Sequence, residues 1–320
     1  MSRFRNRCGL LVCCALMSSS TSCLFDIFGG GGGGGSINFA SGFVFIRDDT
    51  QDVYVADQTD YGNVGQLTTN GGNRHPSLSA DGRQAVFAHV DTASVWSLMT
   101  VATSGGGAAR TVYTADAVAG QKNFKNPVFS ADAAVIVFAF EVGTTSRIAK
   151  VNAADGSGFT ELTSGLTSFA SPAFYPAAIF PDTVLVISGN TIGDYTQLQR
   201  ININTMQALS VTNNLGGEAA SIAERAVLSP DGTKVAFDGK LASASSTTRI
   251  FVQTLGTGAT LRITDATSGN HSFPTWASTT TVGFVSNEGG ANQVYIQPDS
   301  TTDTGQLTIP SANQPWFGPI

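Results

Sequence analysis

A phrase repeated along the chain constrains its fold more than any other feature. It consists of a proline, an apolar–Ser–x–Asp turn, two apolar runs and a Leu-Thr ending. It reads His75-Pro76-Ser77-Leu78-Ser79-Ala80-Asp81-Gly82, then Ala85-Val86-Phe87-Ala88. It returns as Asn126-Pro127-Val128-Phe129-Ser130-Ala131-Asp132-Ala133, then Val135-Ile136-Val137-Phe138, and as Arg225-Ala226-Val227-Leu228-Ser229-Pro230-Asp231-Gly232, then Val235-Ala236-Phe237. Weaker copies start at Pro172 and Pro274, and a fragment, Pro315-Trp316-Phe317-Gly318-Pro319, follows. The anchors Pro76, Pro127, Pro172, Ala226, Pro274 and Pro315 stand 51, 45, 54, 48 and 41 residues apart. That is the period of propeller blades. The unit at Pro76 holds four short strands, expected at 76–79, 84–89, 95–101 and 109–113. Asp81-Gly82 and Asp231-Gly232 read as hairpin turns in which glycine takes positive φ. Those aspartates are therefore expected to be structural.

Each unit closes on a similar phrase: Gln66-Leu67-Thr68, Arg110-Thr111-Val112, Glu161-Leu162-Thr163, Ser210-Val211-Thr212, Arg262-Ile263-Thr264 and Gln306-Leu307-Thr308. The first closing has no opening before it, only Phe43-Val44-Phe45-Ile46 and Val53-Tyr54-Val55. The last opening, at Pro315, has no body after it. The two halves complete one another. The expected fold is all-β, a six-bladed β-propeller of four-stranded blades over 42–320, closed by the C-terminal strand joining the first blade. Closure removes the sheet edge that would otherwise template aggregation.

Composition agrees. Charged residues are 12 %, against about 25 % in ordinary globular proteins, too few to wet the faces of a helical bundle. With 36 glycines, turn-rich β-structure is the better fit. The net charge of −6 excludes a nucleic-acid binder that relies on phosphate contacts.

The N-terminal segment reads as an address. Arg3, Arg5 and Arg7 precede an apolar run at 9–17, too short to span a bilayer, and small residues lead to Cys23. Residues 1–22 are expected to be a signal peptide of lipoprotein type. Residues 23–41, built around the seven glycines Gly29 to Gly35, are expected to be a flexible tether. Thr21-Ser22-Cys23 resembles the lipobox of bacterial lipoproteins, which implies lipidation of Cys23. Ser20 stands where that family prefers Leu, and an ordinary signal peptide cut near Ser22 is the alternative. Leu24 after the cysteine resembles the pattern of outer-membrane retention. The expected location is thus the periplasm or cell surface, lipid-anchored to the outer membrane. Cys8, Cys13, Cys14 and Cys23 all lie in this segment, so no disulfide can staple the body.

The Pro…Ser-x-Asp-Gly…Phe…Leu-Thr phrase resembles the TolB-like propeller repeat over roughly residues 42–320. The family's type member is a periplasmic protein of the Tol–Pal system with an α/β domain before its propeller. This chain has the glycine-rich tether at that place. The copy at 172–212 departs from the pattern. It lacks the Asp-Gly turn and runs through Tyr175-Pro176 and Phe180-Pro181.

Motifs for catalysis are missing. There is no Gly-x-Ser-x-Gly elbow, no His-Glu-x-x-His and no Cys–His zinc spacing in the body. No catalytic residue, cofactor or metal site is expected. The three histidines are His75, His89 and His271. His75 and His271 are placed near one another by the repeat, but two histidines with no third ligand make a weak metal site.

Residues just before each anchor are equivalent around the ring: Arg74-His75, Lys125-Asn126, Ala170-Ser171, Glu224-Arg225, Ser272-Phe273 and Asn313-Gln314. They are expected at one mouth of the central channel. The candidate binding residues are Arg74, His75, Lys125, Asn126, Glu224, Arg225, His271 and Gln314. Arg74, Lys125 and Arg225 suit a carboxylate or an acidic peptide, partly neutralised by Glu224. The bland alternative is a solvated rim. The expected function is a non-catalytic, monomeric cell-envelope scaffold that binds a protein or peptide at the channel mouth. The alternative is a propeller lyase or hydrolase acting on an acidic saccharide through channel residues.

Overall fold

The structure, a computed structural model, describes residues 38–319 apart from 166, 213–214, 265–268 and 302–305. The signal peptide, Cys23 and the glycine run lie outside the described residues.

Twenty-four strands among the described residues form six four-stranded antiparallel sheets. Blade I is β4 (Asn73–Leu78), β5 (Gln84–Val90), β6 (Trp96–Ala102) and β7 (Arg110–Thr114). Blade II is β8 (Gln121–Phe129), β9 (Val135–Val142), β10 (Thr145–Asn152) and β11 (Thr160–Glu161). Blade III is β12 (Ser168–Phe174), β13 (Thr183–Gly189), β14 (Gln197–Asn202) and β15 (Ala208–Thr212). Blade IV is β16 (Ala219–Leu228), β17 (Lys234–Leu241), β18 (Ala244–Thr254) and β19 (Thr260–Arg262). Blade V is β20 (His271–Trp276), β21 (Thr281–Ser286), β22 (Gln293–Pro298) and β23 (Gln306–Ile309). Blade VI joins β24 (Ala312–Gly318) to β1 (Gly42–Arg47), β2 (Val53–Asp57) and β3 (Val64–Gln66). The inner strands neighbour one another in the order β4, β8, β12, β16, β20, β24 and back to β4. The fold is the closed six-bladed propeller that the repeat implies.

The repeated residues each have a mechanical task. In the turn, Ser79 Oγ donates to Asp81 Oδ1 at 2.6 Å, and Asp81 Oδ1 accepts the Arg83 N–H at 3.1 Å. Ser229–Asp231 and Ser130–Asp132 repeat the bond at 2.6 Å. Gly82 and Gly232 have φ of 68° and 67°, and Ala133 takes 55° at the same place. In the closing phrase, the buried Leu67, Leu162 and Ile263 anchor the outer strand. The hydroxyls of Thr68, Thr163 and Thr264 each accept a third-strand N–H at 2.9 Å, from Val53, Ile148 and Ile250. Second strands contribute Phe87, Phe138, Phe237 and Phe284, none with exposed surface. Each such burial is worth roughly 1.5–3 kcal/mol.

The inner strands begin earlier than the prolines suggest, β4 at Asn73 rather than at Pro76. The proline sits inside the strand, at a bulge between Arg74 and Ser77, where the ladder needs no N–H. The residue before it is left-handed in five blades: His75, Asn126, Ser171, Phe273 and Gln314 have φ of 47–52°. Blade IV has Ala226 in place of proline. Its extra N–H donates to Ser171 Oγ at 2.9 Å, tying blades III and IV. Blade III is complete in spite of its departed sequence. Its long turn is braced by an edge-on contact of Tyr175 with Phe180 at 5.1 Å.

Closure rests on β24 pairing with β1, with Gly42 opposite Gly318 and Val44 opposite Trp316. The last residues of the expected tether are already fastened to the body. Ser41 Oγ donates to the Pro319 carbonyl at 2.7 Å, and Ala40 N–H donates to Asp57 Oδ2 at 2.9 Å. A chain ending at Ser311 leaves β1 as a free edge. It is expected to lose cooperative thermal melting and to associate, read by circular dichroism and size-exclusion chromatography. Burial pushes the Asp57 carboxyl up, but hydrogen bonds from Ala40, Thr59 and Ser41 outweigh it and hold the group at about 2. The native state therefore binds this proton more weakly than the unfolded chain. The stabilisation is present above about pH 4 and lost as pH falls toward 2. Asp57→Asn is expected to flatten that acid limb of a melting-temperature profile.

Candidate functional site

Because all inner strands run the same way, the residues before the anchors meet at one level of the channel. They form a buried polar layer rather than an open rim. His75, Asn126, Ser171 and Arg225 are all at least 95 % buried, while Phe273 and Gln314 are half-buried.

Arg225 organises the layer. Its Nε and Nη2 donate to Asn126 Oδ1 at 3.2 and 3.1 Å, and its Nη1 donates to the Pro315 carbonyl at 2.7 Å. From blade IV it therefore reaches blades II and VI across the axis. Its guanidinium carbon lies 5.2 Å from the Phe273 ring centre and 5.9 Å from that of Trp316, within cation–π range. Burial lowers its pKa to about 10, opposed by Asp238 and Glu224, and it stays charged at neutral pH. The sequence reading placed Arg225 as a cation open to ligand. The structure places it as a buried cross-brace with its donors occupied.

Asp238, on β17, supports this brace. Its Oδ1 accepts the Glu224 and Arg225 N–H groups at 2.9 and 2.8 Å, and its Oδ2 accepts the Phe273 N–H at 3.1 Å. Burial pushes its carboxyl up to about 7, against those three donors. The sequence reading missed it. The signal was present, since Asp238 follows Phe237 where other copies have Ala88 after Phe87 and Ala139 after Phe138.

Outside the layer lies the polar mouth. Lys125 Nζ stands 3.5 Å from Glu141 and 3.6 Å from Glu224, so its charge is shared by two carboxylates. Asn123 Nδ2 donates to Glu141 Oε2 at 2.6 Å. Arg74 is half-buried and has no hydrogen-bond or ion-pair partner among the described residues. The His75 N–H donates to Gln314 Oε1 at 2.6 Å, and its ring Nε2 is 4.0 Å from Glu224. Burial, then the charges of Arg225, Lys125 and Arg74, push the His75 pKa well below its ordinary value, so the ring is neutral at pH 7. His75 and Asn126 lie together in this layer, and the Asn126 side chain partly offsets the fall in the His75 pKa.

His271 does not join His75. It is buried at the start of β20, with Nε2 3.2 Å from Glu288 and its ring edge-on to Phe284 at 5.5 Å. His89 lies elsewhere, its Nδ1 within 3.0 Å of Asn73 Oδ1. Among the described residues, no three His, Cys, Asp or Glu side chains gather as metal ligands. Arg74, His75, Lys125, Asn126, Glu224, Arg225 and Gln314 are thus brought together, and His271 stands apart.

The other end of the channel is different. Where the inner strands run out into the Ser–x–Asp turns, a cavity of about 420 Å³ opens between Leu78, Val128, Phe129, Phe174, Val227 and Trp316. Trp316 packs against the apolar clusters of three separate parts of the ring and so stands at its centre. The sequence reading did not find this cavity, because its walls come from the ends of different repeats.

No family model matches this chain, and no curated protein matches it in sequence. Its fold matches solved propellers. TolB from Acinetobacter baumannii superposes with a TM-score of 0.65 at 16 % identity, over 88 % of this chain and 66 % of that one. A TolB structure from Agrobacterium tumefaciens gives 0.59 at 15 % identity, over 89 % of this chain and all of that one. Oligogalacturonate lyase from Vibrio parahaemolyticus gives 0.52 at 15 % identity, over 82 % of this chain and 90 % of that one. The chain spans about two thirds of the Acinetobacter protein and has the TolB-like propeller fold.

Asp238→Ala leaves three N–H groups at the centre of the ring without their acceptor and removes a carboxylate that helps keep the buried Arg225 charged. A loss of about 3 kcal/mol or more is expected, read by urea unfolding at pH 7.

Proposed function

We propose that this chain is a non-catalytic binding scaffold of the cell envelope, which takes a protein or peptide segment at the polar mouth of its channel. Cys23 carries a lipid that holds it to the outer membrane, on the periplasmic or surface side, and the glycine run gives the propeller reach. The reading rests on the lipobox-like start and the fold shared with TolB. The observation that carries it is Arg74 at the mouth, half-buried and with no ion-pair partner among the described residues. An acidic side chain or chain end is the ligand chemistry that answers a guanidinium without a counter-ion. Lys125 adds positive charge that two carboxylates already temper. Arg225 does not contact the ligand but holds the layer beneath it.

A second reading, a lyase or hydrolase acting on an acidic saccharide, draws on the same residues and on the propeller fold shared with the oligogalacturonate lyase. Crosslinking in intact cells, with partners identified by mass spectrometry, separates the two. A discrete envelope protein is expected with the native chain. Recovery is expected to fall several-fold with Arg74→Ala plus Lys125→Ala, at an unchanged melting temperature. Recovery unchanged by the double variant would defeat the mouth as the contact. Turnover of uronate oligomers that vanishes in His75→Ala would replace the scaffold by the enzyme.

A further inference from the structure

We propose that the apolar end of the channel is a second binding site, for a small hydrophobic cation whose apolar body fills the cavity and whose ammonium stays at the rim. It is independent of the polar mouth, from which Arg225 and Trp316 separate it.

Three observations converge on that chemistry. The cavity's volume of about 420 Å³ suits a small organic molecule. No side chain lining it is charged, and its walls include the rings of Phe129, Phe174 and Trp316. Ala80, Ala131 and Pro230 line the opening, and each is followed directly by an exposed aspartate, Asp81, Asp132 and Asp231, which puts three carboxylates beside the rim.

These aspartates are fixed and ionised. Each accepts a serine hydroxyl at 2.6 Å and a main-chain N–H at 3.0–3.1 Å, which holds its carboxyl below the ordinary range. Asp132 has no cation partner among the described residues. Asp81 faces only the exposed Arg83, at 4.0 Å. Lys234, near Asp231, is bound at 2.5 Å to Asp299. The turn bonds occupy one oxygen of each aspartate and leave the charge facing water. A cation at the rim is attracted by these three carboxylates. Beyond the Trp316 floor, the buried Arg225 charge repels a cation that enters head first. The ligand is therefore oriented with its apolar body inward, and an anion is disfavoured at the rim.

The test uses three isosteric probes on the purified chain: 1-naphthylmethylamine as its cation, 1-naphthylmethanol and 1-naphthoate. Binding is read by calorimetry and by quenching of tryptophan emission, since Trp276 and Trp316 both line the cavity. Saturable one-to-one binding is expected in the order cation, alcohol, anion. The cation should lead the anion by about tenfold at low salt and by less at high salt. Asp132→Asn should weaken the cation roughly threefold and leave the alcohol unchanged. Ala131→Trp, on an exposed turn, should abolish binding of all three without shifting the melting temperature. Ala80→Trp repeats this block from blade I should the first variant misfold. The absence of saturable binding by any probe overturns the proposal, as does an equal or inverted order. Affinity that survives both blocking variants overturns it too.

Discussion

The pairing of β24 with β1 is the constraint on which the rest depends. A ring of sheets has no lid or clamp of its own, so its diameter is set when the last strand meets the first. Here the closing strand also supplies part of the centre. Gln314 accepts the His75 N–H, and the Pro315 carbonyl accepts Arg225. Trp316, next along, touches apolar clusters on every side of the axis. Opening the ring therefore removes the floor of one site and a wall of the other.

A buried guanidinium in the middle of a propeller needs explanation, since desolvating a charge costs several kcal/mol. The geometry supplies what makes it tolerable. Three donor atoms of Arg225 have acceptors, two rings flank the cation, and the Asp238 carboxylate, bonded to the Arg225 main chain, favours the charge. Asp238 in turn takes N–H groups from the inner strands of blades IV and V. In those two strands the bulged backbone has N–H groups to place, and one carboxylate satisfies three of them. Blade IV is where the repeat loses its proline, and Ala226 finds Ser171 for its added N–H. The polar centre is thus concentrated where the repeat lacks its anchor proline.

The fold was largely legible in the sequence. The period, the Ser-x-Asp turns and the unmatched opening and closing phrases specify the blades and their closure, because each follows from local backbone chemistry. Strand starts were not legible. Proline reads as a boundary, whereas here it sits at a bulge inside β4 and its counterparts. The equivalence of the residues before each anchor was readable and placed seven of the eight candidates together. Their exposure was not readable. A long side chain such as Arg225 can turn outward to water or inward across an axis, and only the ring diameter decides. Asp238 was within reach as the one acidic residue at a position that is alanine in two other copies. The cavity was out of reach, since its walls join residues from five repeats and the closing strand.

The two ends of the channel differ because a propeller converts strand direction into surface chemistry. Every inner strand enters at the dipeptide before its anchor, and three of the six leave at a Ser–x–Asp turn. Whatever the repeat carries before the proline is therefore multiplied at one mouth, and whatever follows it at the other. In a chain with only 12 % charged residues, this gives one mouth of mixed charge over a buried polar layer and the other an apolar bowl flanked by the turn aspartates. Arg225 and Trp316 stand between the two ends. The same six strands thus give the ring two chemically different faces, which is why the two proposed sites rest on different residues and can be tested separately.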